Sequence, residues 1–251
     1  SDSSQLEKKL TNATKMIWVE SPTNPLLKLA DLRAIADFAK RYNLIAVCDN
    51  TFCSPVVQRP LEYGFDIVVH SATKYLNGHS DMIGGVAVCS SNRTDLAEKI
   101  RFLSNSIGSI MSPFDSFLVT RSLKTLSLRM ERHCKNAQSI AEFCDGHRAI
   151  DQVLYPGLKS HPQYKLANHQ MNGYGGMISV IVKGGLQRAV KFVESTKLFA
   201  LAESLGGVES LVEHPAIMTH ASVPKDIRDK IGIVDGLVRL SVGIETIDDL
   251  L

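Results

Sequence analysis

Four short apolar runs in the first ninety residues do most to limit the fold of this chain: Lys15–Glu20 (KMIWVE), Leu44–Asp49 (LIAVCD), Ile67–His70 (IVVH) and Gly84–Ser90 (GGVAVCS). Each is of strand length, rich in Val and Ile, and closed by polar or turn-forming residues. Their apolar residues run on without alternating, so both faces of such strands need cover. That is the habit of a mostly parallel sheet with helices on either side. The first connection fits this reading. Ser21-Pro22-Thr23-Asn24-Pro25 is a Pro-stiffened loop. Asp31 stands where an N-cap belongs, ahead of Leu32, Ile35, Ala36 and Ala39, which share one face of a helix to about Tyr42.

From Pro113 the pattern changes. Phe114 to Cys144 reads as one long helix, bent once, with Leu126, Met130, Cys134, Ala137, Ile140, Ala141 and Cys144 as its apolar stripe. Beyond it come strands at Asp151–Tyr155 and Met177–Val182, a helix at Leu186–Ser195 and a last strand at Leu237–Val242. Strands and helices without strict alternation predict a smaller α+β domain. The expected architecture is therefore an α/β unit over residues 1–126 and an α+β unit over 127–251, divided near Ser127.

Composition excludes several classes. Hydrophobic residues make up 44% and charged residues 22% of the 251, ordinary for a globular protein and unlike a disordered or collagen-like chain. Lys and Arg number 28 against 26 Asp and Glu, a net charge of +2, which gives no electrostatic case for nucleic acid or an anionic membrane as partner. No apolar run approaches the ~20 residues of a membrane span, and the Ser1-Asp2-Ser3-Ser4 start has no signal-peptide character. Five cysteines, an odd number without framework spacing, predict reduced thiols and a cytoplasmic location. Neither CxxC nor HExxH nor HxxxH occurs, so no metal site is expected.

The chemistry concentrates in Asp66-Ile67-Val68-Val69-His70-Ser71-Ala72-Thr73-Lys74-Tyr75. A buried strand here runs out into Ser, Thr and Lys, and ligands of open α/β sheets sit at such carboxyl ends. In extended chain Ser71 and Thr73 point the same way, as two hydroxyls holding a phosphate would. Lys74 follows at once, where a buried amine loses its proton and becomes a nucleophile. The bland alternative is a surface lysine after a polar strand end, and for this motif alone it is the stronger reading.

Asp49 closes the run LIAVCD, also at a carboxyl end. A carboxylate in so apolar a setting needs a cationic partner, and a protonated pyridine nitrogen is one. A turn-capping aspartate, helped by Asn50 and Thr51, is the alternative. Arg239 lies between apolar residues in Val238-Arg239-Leu240-Ser241-Val242, half-buried and in need of an anion. Its planar fork suits a substrate carboxylate, or else a structural ion pair with a local Asp or Glu. Together the three specify an imine-forming lysine, a pyridinium acid and a carboxylate clamp.

Those residues, with Glu20-Ser21-Pro22-Thr23-Asn24-Pro25, Gly78-His79-Ser80-Asp81, Ser122-Leu123-Lys124-Thr125-Leu126, Tyr155-Pro156-Gly157-Leu158, Ala202-Glu203-Ser204-Leu205-Gly206-Gly207 and His214-Pro215-Ala216-Ile217-Met218-Thr219-His220, resemble the cysteine/methionine-metabolism family of pyridoxal-phosphate enzymes. They follow the family's order over nearly the whole chain. The resemblance implies an incomplete α/β fold of the pyridoxal-phosphate transferase type, with residues 1–126 as the later part of its cofactor domain. It implies pyridoxal 5'-phosphate as cofactor, with Lys74 as the Schiff-base lysine, Ser71 and Thr73 as phosphate ligands, Asp49 as the pyridinium partner and Asn24 beside the phenolic oxygen and the substrate carboxylate. Arg239 becomes the carboxylate clamp, supported by Ser204. Glu203 falls where members differ in substrate choice, and a glutamate there is similar to the family's gamma-lyases and gamma-synthases.

The implied reaction is cleavage of the γ carbon–sulfur bond of cystathionine to cysteine, 2-oxobutanoate and ammonia. A gamma-synthase, another lyase of the family and a non-catalytic fragment are the alternatives. The implied partners are a small amino-acid substrate and further copies of the chain in a dimer of dimers. Ahead of the position matching Ser1 the family carries its Gly-rich phosphate loop and a ring-stacking tyrosine. The resemblance therefore implies that this chain is a fragment.

Overall fold

The computed structural model describes residues 5–251. After a 3-10 turn at Glu7–Lys9 the chain forms β1 (Met16–Glu20), α1 (Leu32–Arg41), β2 (Ile45–Asp49), the short α2 (Ser54–Val57), β3 (Ile67–Ser71) and β4 (Gly85–Cys89). Three helices follow: α3 (Thr94–Ile107), α4 (Pro113–Leu123) and α5 (Leu126–Asp145). The rest is β5 (Ile150–Leu154), α6 (Tyr164–Gln170), β6 (Met177–Val182), α7 (Gly185–Ser195), β7 (Ala200–Leu201), β8 (Leu211–Glu213), α8 (Lys225–Ile231), β9 (Leu237–Ser241) and α9 (Ile247–Leu250).

The first sheet has the order β1-β2-β3-β4. Its first three strands are parallel, and β4 joins β3 antiparallel. The register sets Glu20, Asp49 and Val69 level with one another at the carboxyl edge. Asp31 caps α1 as its sequence predicts, its Oδ1 accepting from the Ala34 amide at 3.0 Å. Leu32, Ile35, Ala36, Phe38 and Ala39 of α1 pack with Ala46, Cys48 and Phe65. Cover on both faces holds for the inner strands only: Trp18 of β1 is 57% exposed, and β4 carries exposed residues along its length.

The second sheet has the order β5-β6-β9-β8-β7, antiparallel except where β7 pairs parallel with β8. The expected long helix is two helices. α4 ends at Leu123 and α5 begins at Leu126; at the break the Ser122 carbonyl turns to the Thr125 amide at 3.1 Å, and the Arg129 guanidinium braces the corner by donating to the same carbonyl at 3.0 Å and to the Thr125 hydroxyl at 3.1 Å. We propose the division between residues 1–126 and 127–251 at the head of α5. That helix serves both cores, with Leu126 and Met130 packed beside Tyr75 and Ala72, and Ala137, Ile140 and Ala141 packed on the second sheet.

Candidate active site

The strand β3 carries the chain out of the core, and at Ala72–Leu76 the backbone winds into a π-helical turn that Lys74 interrupts with φ −90° and ψ −133°. Two elements fix this turn. From α5, the buried Arg129 donates Nη1 to the Tyr75 carbonyl at 2.7 Å and Nη2 to the Leu76 carbonyl at 3.2 Å. From the loop between β7 and β8 comes Gly206, whose φ of +75° suits glycine. A Cβ there would lie 2.9 Å from the Tyr75 nitrogen and 3.2 Å from the Lys74 Cβ.

Lys74 is half-buried, and its Nζ donates to Ser204 Oγ at 3.2 Å. Burial is the main reason its basicity lies below that of an ordinary lysine; Arg239 nearby lowers it further and Glu213 works against both. An amine that must lose a proton to attack a carbonyl is helped by that direction.

The expectation for Ser71 and Thr73 changes in its geometry. Only Ser71 belongs to the strand, while Thr73 sits in the π-helical turn, so the two are not on one extended segment. The Thr73 hydroxyl is engaged with Gly84, donating to its carbonyl at 3.3 Å and accepting from its amide at 3.0 Å. Ser71 Oγ makes no hydrogen bond among the described residues. Ser71 also lines a cavity of about 610 Å³ with Val69, Gly85, Arg101 and Ser104, a cavity that none of Lys74, Asp49 and Arg239 lines.

Asp49 ends β2. Both its hydrogen bonds fall on Oδ1, from the Thr51 amide at 3.0 Å and the Thr51 hydroxyl at 2.6 Å, and Oδ2 is left without one among the described residues. Thr51 Oγ1 also accepts from the Ser71 amide at 2.9 Å, so this one threonine ties Asp49 to the end of β3. The turn-capping part of the alternative reading is thus present in the structure alongside a free carboxylate oxygen.

Arg239 departs from expectation. It is 2% exposed rather than half-buried, and β9 is flanked by β6 and β8. Its charge partner is Glu213, 0% exposed and directly opposite on β8, with Oε1 2.9 Å from Nη1. Nη1 also donates to Asn24 Oδ1 at 3.0 Å, and Nη2 to the carbonyls of Glu203 and Ser204 at 2.9 and 3.0 Å. Asn24 is held in turn by Glu20 of β1, whose Oε2 accepts from its amide at 3.3 Å. Burial raises the Glu20 carboxyl above its usual range, and nearby Asp49 adds to this.

Thus Lys74, Ser204, Arg239, Asn24 and Glu213 form one connected group, while Asp49, Thr51 and Ser71 form another on the same sheet edge. Glu203 enters through its backbone carbonyl, with its side chain exposed. Sequence reasoning gave no role to Glu213 or Glu20, and it had Thr51 only as a helper of the Asp49 turn. The signal for Glu213 was present: an acid after Ser210-Leu211-Val212 is a charge in an apolar run, as Arg239 is.

The family model described as Cys/Met metabolism PLP-dependent enzyme matches all of residues 1–251, and the chain belongs to this family. It is 60% identical over 249 residues to the cystathionine beta-lyase of Coxiella burnetii, covering 99% of this chain and 64% of the relative. It is 55% identical over 246 residues to the cystathionine gamma-lyase of Dictyostelium discoideum, covering 98% and 63%. Among solved structures, a cystathionine gamma-lyase from Lactobacillus plantarum complexed with L-serine superposes with a TM-score of 0.95 at 48% identity, covering 99% of this chain and 65% of that one. The chain therefore spans slightly under two thirds of the length of these relatives. The family's cofactor is pyridoxal 5'-phosphate. Among the described residues no helix is long and apolar enough to cross a membrane.

Proposed function

We propose that this chain is the lysine-bearing part of a pyridoxal-phosphate lyase that cleaves the γ carbon–sulfur bond of cystathionine. The observation that carries the reading is Lys74: a half-buried amine of lowered basicity at a strand end, joined through Ser204 to the buried guanidinium of Arg239. The residues fit the cofactor, since an amine, the free Oδ2 of Asp49 and the unengaged hydroxyl of Ser71 share one sheet edge.

When bound, pyridoxal phosphate supplies an electron sink for the substrate's α-carbon. Lys74 would hold it through its amine and, once released, take and return the proton at Cα. Asp49 would face the ring nitrogen and keep it protonated. Ser71 would hold the phosphate together with Thr73, which must first give up a Gly84 contact. Asn24 and Arg239 would orient the substrate carboxylate, and Ser204 would steady the Lys74 amine between proton transfers.

Glu203 favours γ cleavage, by its likeness to the gamma-cleaving members. The identity to a relative named cystathionine beta-lyase favours β cleavage as a second reading. Incubation with pyridoxal phosphate and cystathionine separates them by product. γ Cleavage gives 2-oxobutanoate with cysteine, and β cleavage gives pyruvate with homocysteine. Consumption of cysteine together with an acylated homoserine would instead identify a synthase. We further propose a cytoplasmic dimer of dimers, a reading supported by the exposed Phe102, Ile107, Phe114 and Phe117 on α3 and α4.

A further inference from the structure

A guanidinium has five N–H donors, and at Arg239 the two Nη groups donate to Asn24 Oδ1 and to the carbonyls of Glu203 and Ser204, with Glu213 Oε1 in ion-pair contact with Nη1 at 2.9 Å. Nε is left without a protein partner among the described residues, and the Glu213 Oε2 is also buried and unpartnered. Orphaned buried polar atoms are rare and need a reason. Arg239 and Glu213 already cancel each other's charge. A carboxylate arriving at Arg239 would thus leave two carboxylates on one guanidinium, out of water, where like charges disfavour joint ionisation and one proton is retained.

We propose that Glu213 takes up one proton when a carboxylate binds at Arg239, so that the clamp binds anion and proton together. This rests on the reading of Arg239 as the carboxylate clamp. The proton comes from the buffer and forms one O–H bond on Glu213. Oε1 stays engaged with Nη1 and with the Thr219 hydroxyl at 3.2 Å, and Oε2 is the oxygen free to carry the proton. The charged and titratable groups that face the pair are Glu203 from the loop before β8, Lys74 and the phenol of Tyr75 from the turn after β3, and His220, which lies in the field of Arg239 and of Arg228. Burial already pushes the Glu213 carboxyl above its ordinary value, with Arg239 opposing. Lys74 and His220 are the competing proton acceptors.

Sodium propionate is the probe, since it has a carboxylate and no amine to react at a cofactor. Calorimetric titration of the protein near neutral pH, in phosphate and in Tris, counts protons by the difference in buffer ionisation heat. The expected result is uptake of about one proton per propionate, with affinity falling about tenfold for each pH unit above neutrality. An infrared carbonyl band of a protonated carboxylic acid should appear on binding. Glu213→Gln, which keeps an oxygen beside Nη1 and removes the charge, should bind propionate more tightly, without uptake, without the band and with a flat pH dependence. Binding by the wild-type protein without uptake overturns the proposal alone, as does equal uptake in Glu213→Gln, which moves the proton to Lys74 or His220. Failure of both proteins to bind propionate overturns the clamp reading as well. If Glu213→Gln does not fold, the wild-type proton count and infrared band still decide.

Discussion

The Lys74 Nζ lies 3.2 Å from the Oγ of Ser204, a residue 130 positions later in the chain. The carbonyl of the same serine accepts from Arg239 Nη2 at 3.0 Å. Ser204 is therefore pinned by its backbone to the second sheet while its hydroxyl meets the amine that leaves the first. This one residue bridges the half-buried amine of Lys74 and the buried guanidinium of Arg239.

Ser204→Ala should leave the fold intact and lower the apparent pKa of Lys74 further, because a hydroxyl that accepts from an ammonium favours the charged form. The pH dependence of Lys74 labelling by an aldehyde reports this. The profile should move to lower pH, and an unmoved profile would show that the contact has no influence on the amine.

Gly206→Ala places a side chain on a residue with φ +75° and a Cβ 2.9 Å from the Tyr75 nitrogen. Left-handed backbone costs an L-residue ~1–2 kcal/mol before any clash with that nitrogen is counted. The urea midpoint should fall accordingly. A midpoint equal to wild type would mean that the loop between β7 and β8 does not press on the lysine turn as described.

Arg129→Leu removes the donor to the carbonyls of Tyr75 and Leu76 and strands them in the core, while the Ser122 carbonyl keeps its bonds from Thr125. Unsatisfied buried acceptors cost ~1–3 kcal/mol each, so a loss of more than about 3 kcal/mol is expected from chemical unfolding. A loss below 1 kcal/mol, on the order of an ordinary surface change, would show that water replaces the guanidinium freely.

The places of Lys74 and Asp49 at strand ends were more legible in the sequence than the packing around them. Lys74 and Asp49 could be read because a titratable residue at the end of a continuous apolar run is costly unless it is used. The inner strands β2 and β3 could be read because both their faces are buried. β7 and β8 are two and three residues long, too short for any period to show. α3 has no fully buried residue and so no stripe to announce it. The Glu213–Arg239 pair depends on the cross-strand register of β8 and β9, which spacing along the chain does not contain. The parallel orientation inferred for Ser71 and Thr73 failed because β3 ends between them.

His70 and His133 are buried and held neutral, burial pulling each down to about 4. Their folded values lie below the unfolded value near 6.5, so their contribution is complete above that pH and is lost as pH falls toward 4. The loss is on the order of 3 kcal/mol for each. His133 donates from Nδ1 to the Val242 carbonyl at 2.7 Å, and Nε2 has no partner that could share a second proton. Unfolding free energies measured between pH 7 and 4 should fall steeply, and less steeply in His133→Gln. Equal slopes for the two proteins would contradict the assignment.

Lys74 is the residue we propose to hold pyridoxal phosphate. Incubating the protein with the cofactor, reducing with borohydride and sequencing the modified peptide by mass spectrometry tests this most directly. The expected result is a single pyridoxyl adduct on the Ser71-Ala72-Thr73-Lys74-Tyr75 peptide, at Lys74. An adduct on another lysine with Lys74 unmodified would contradict the account.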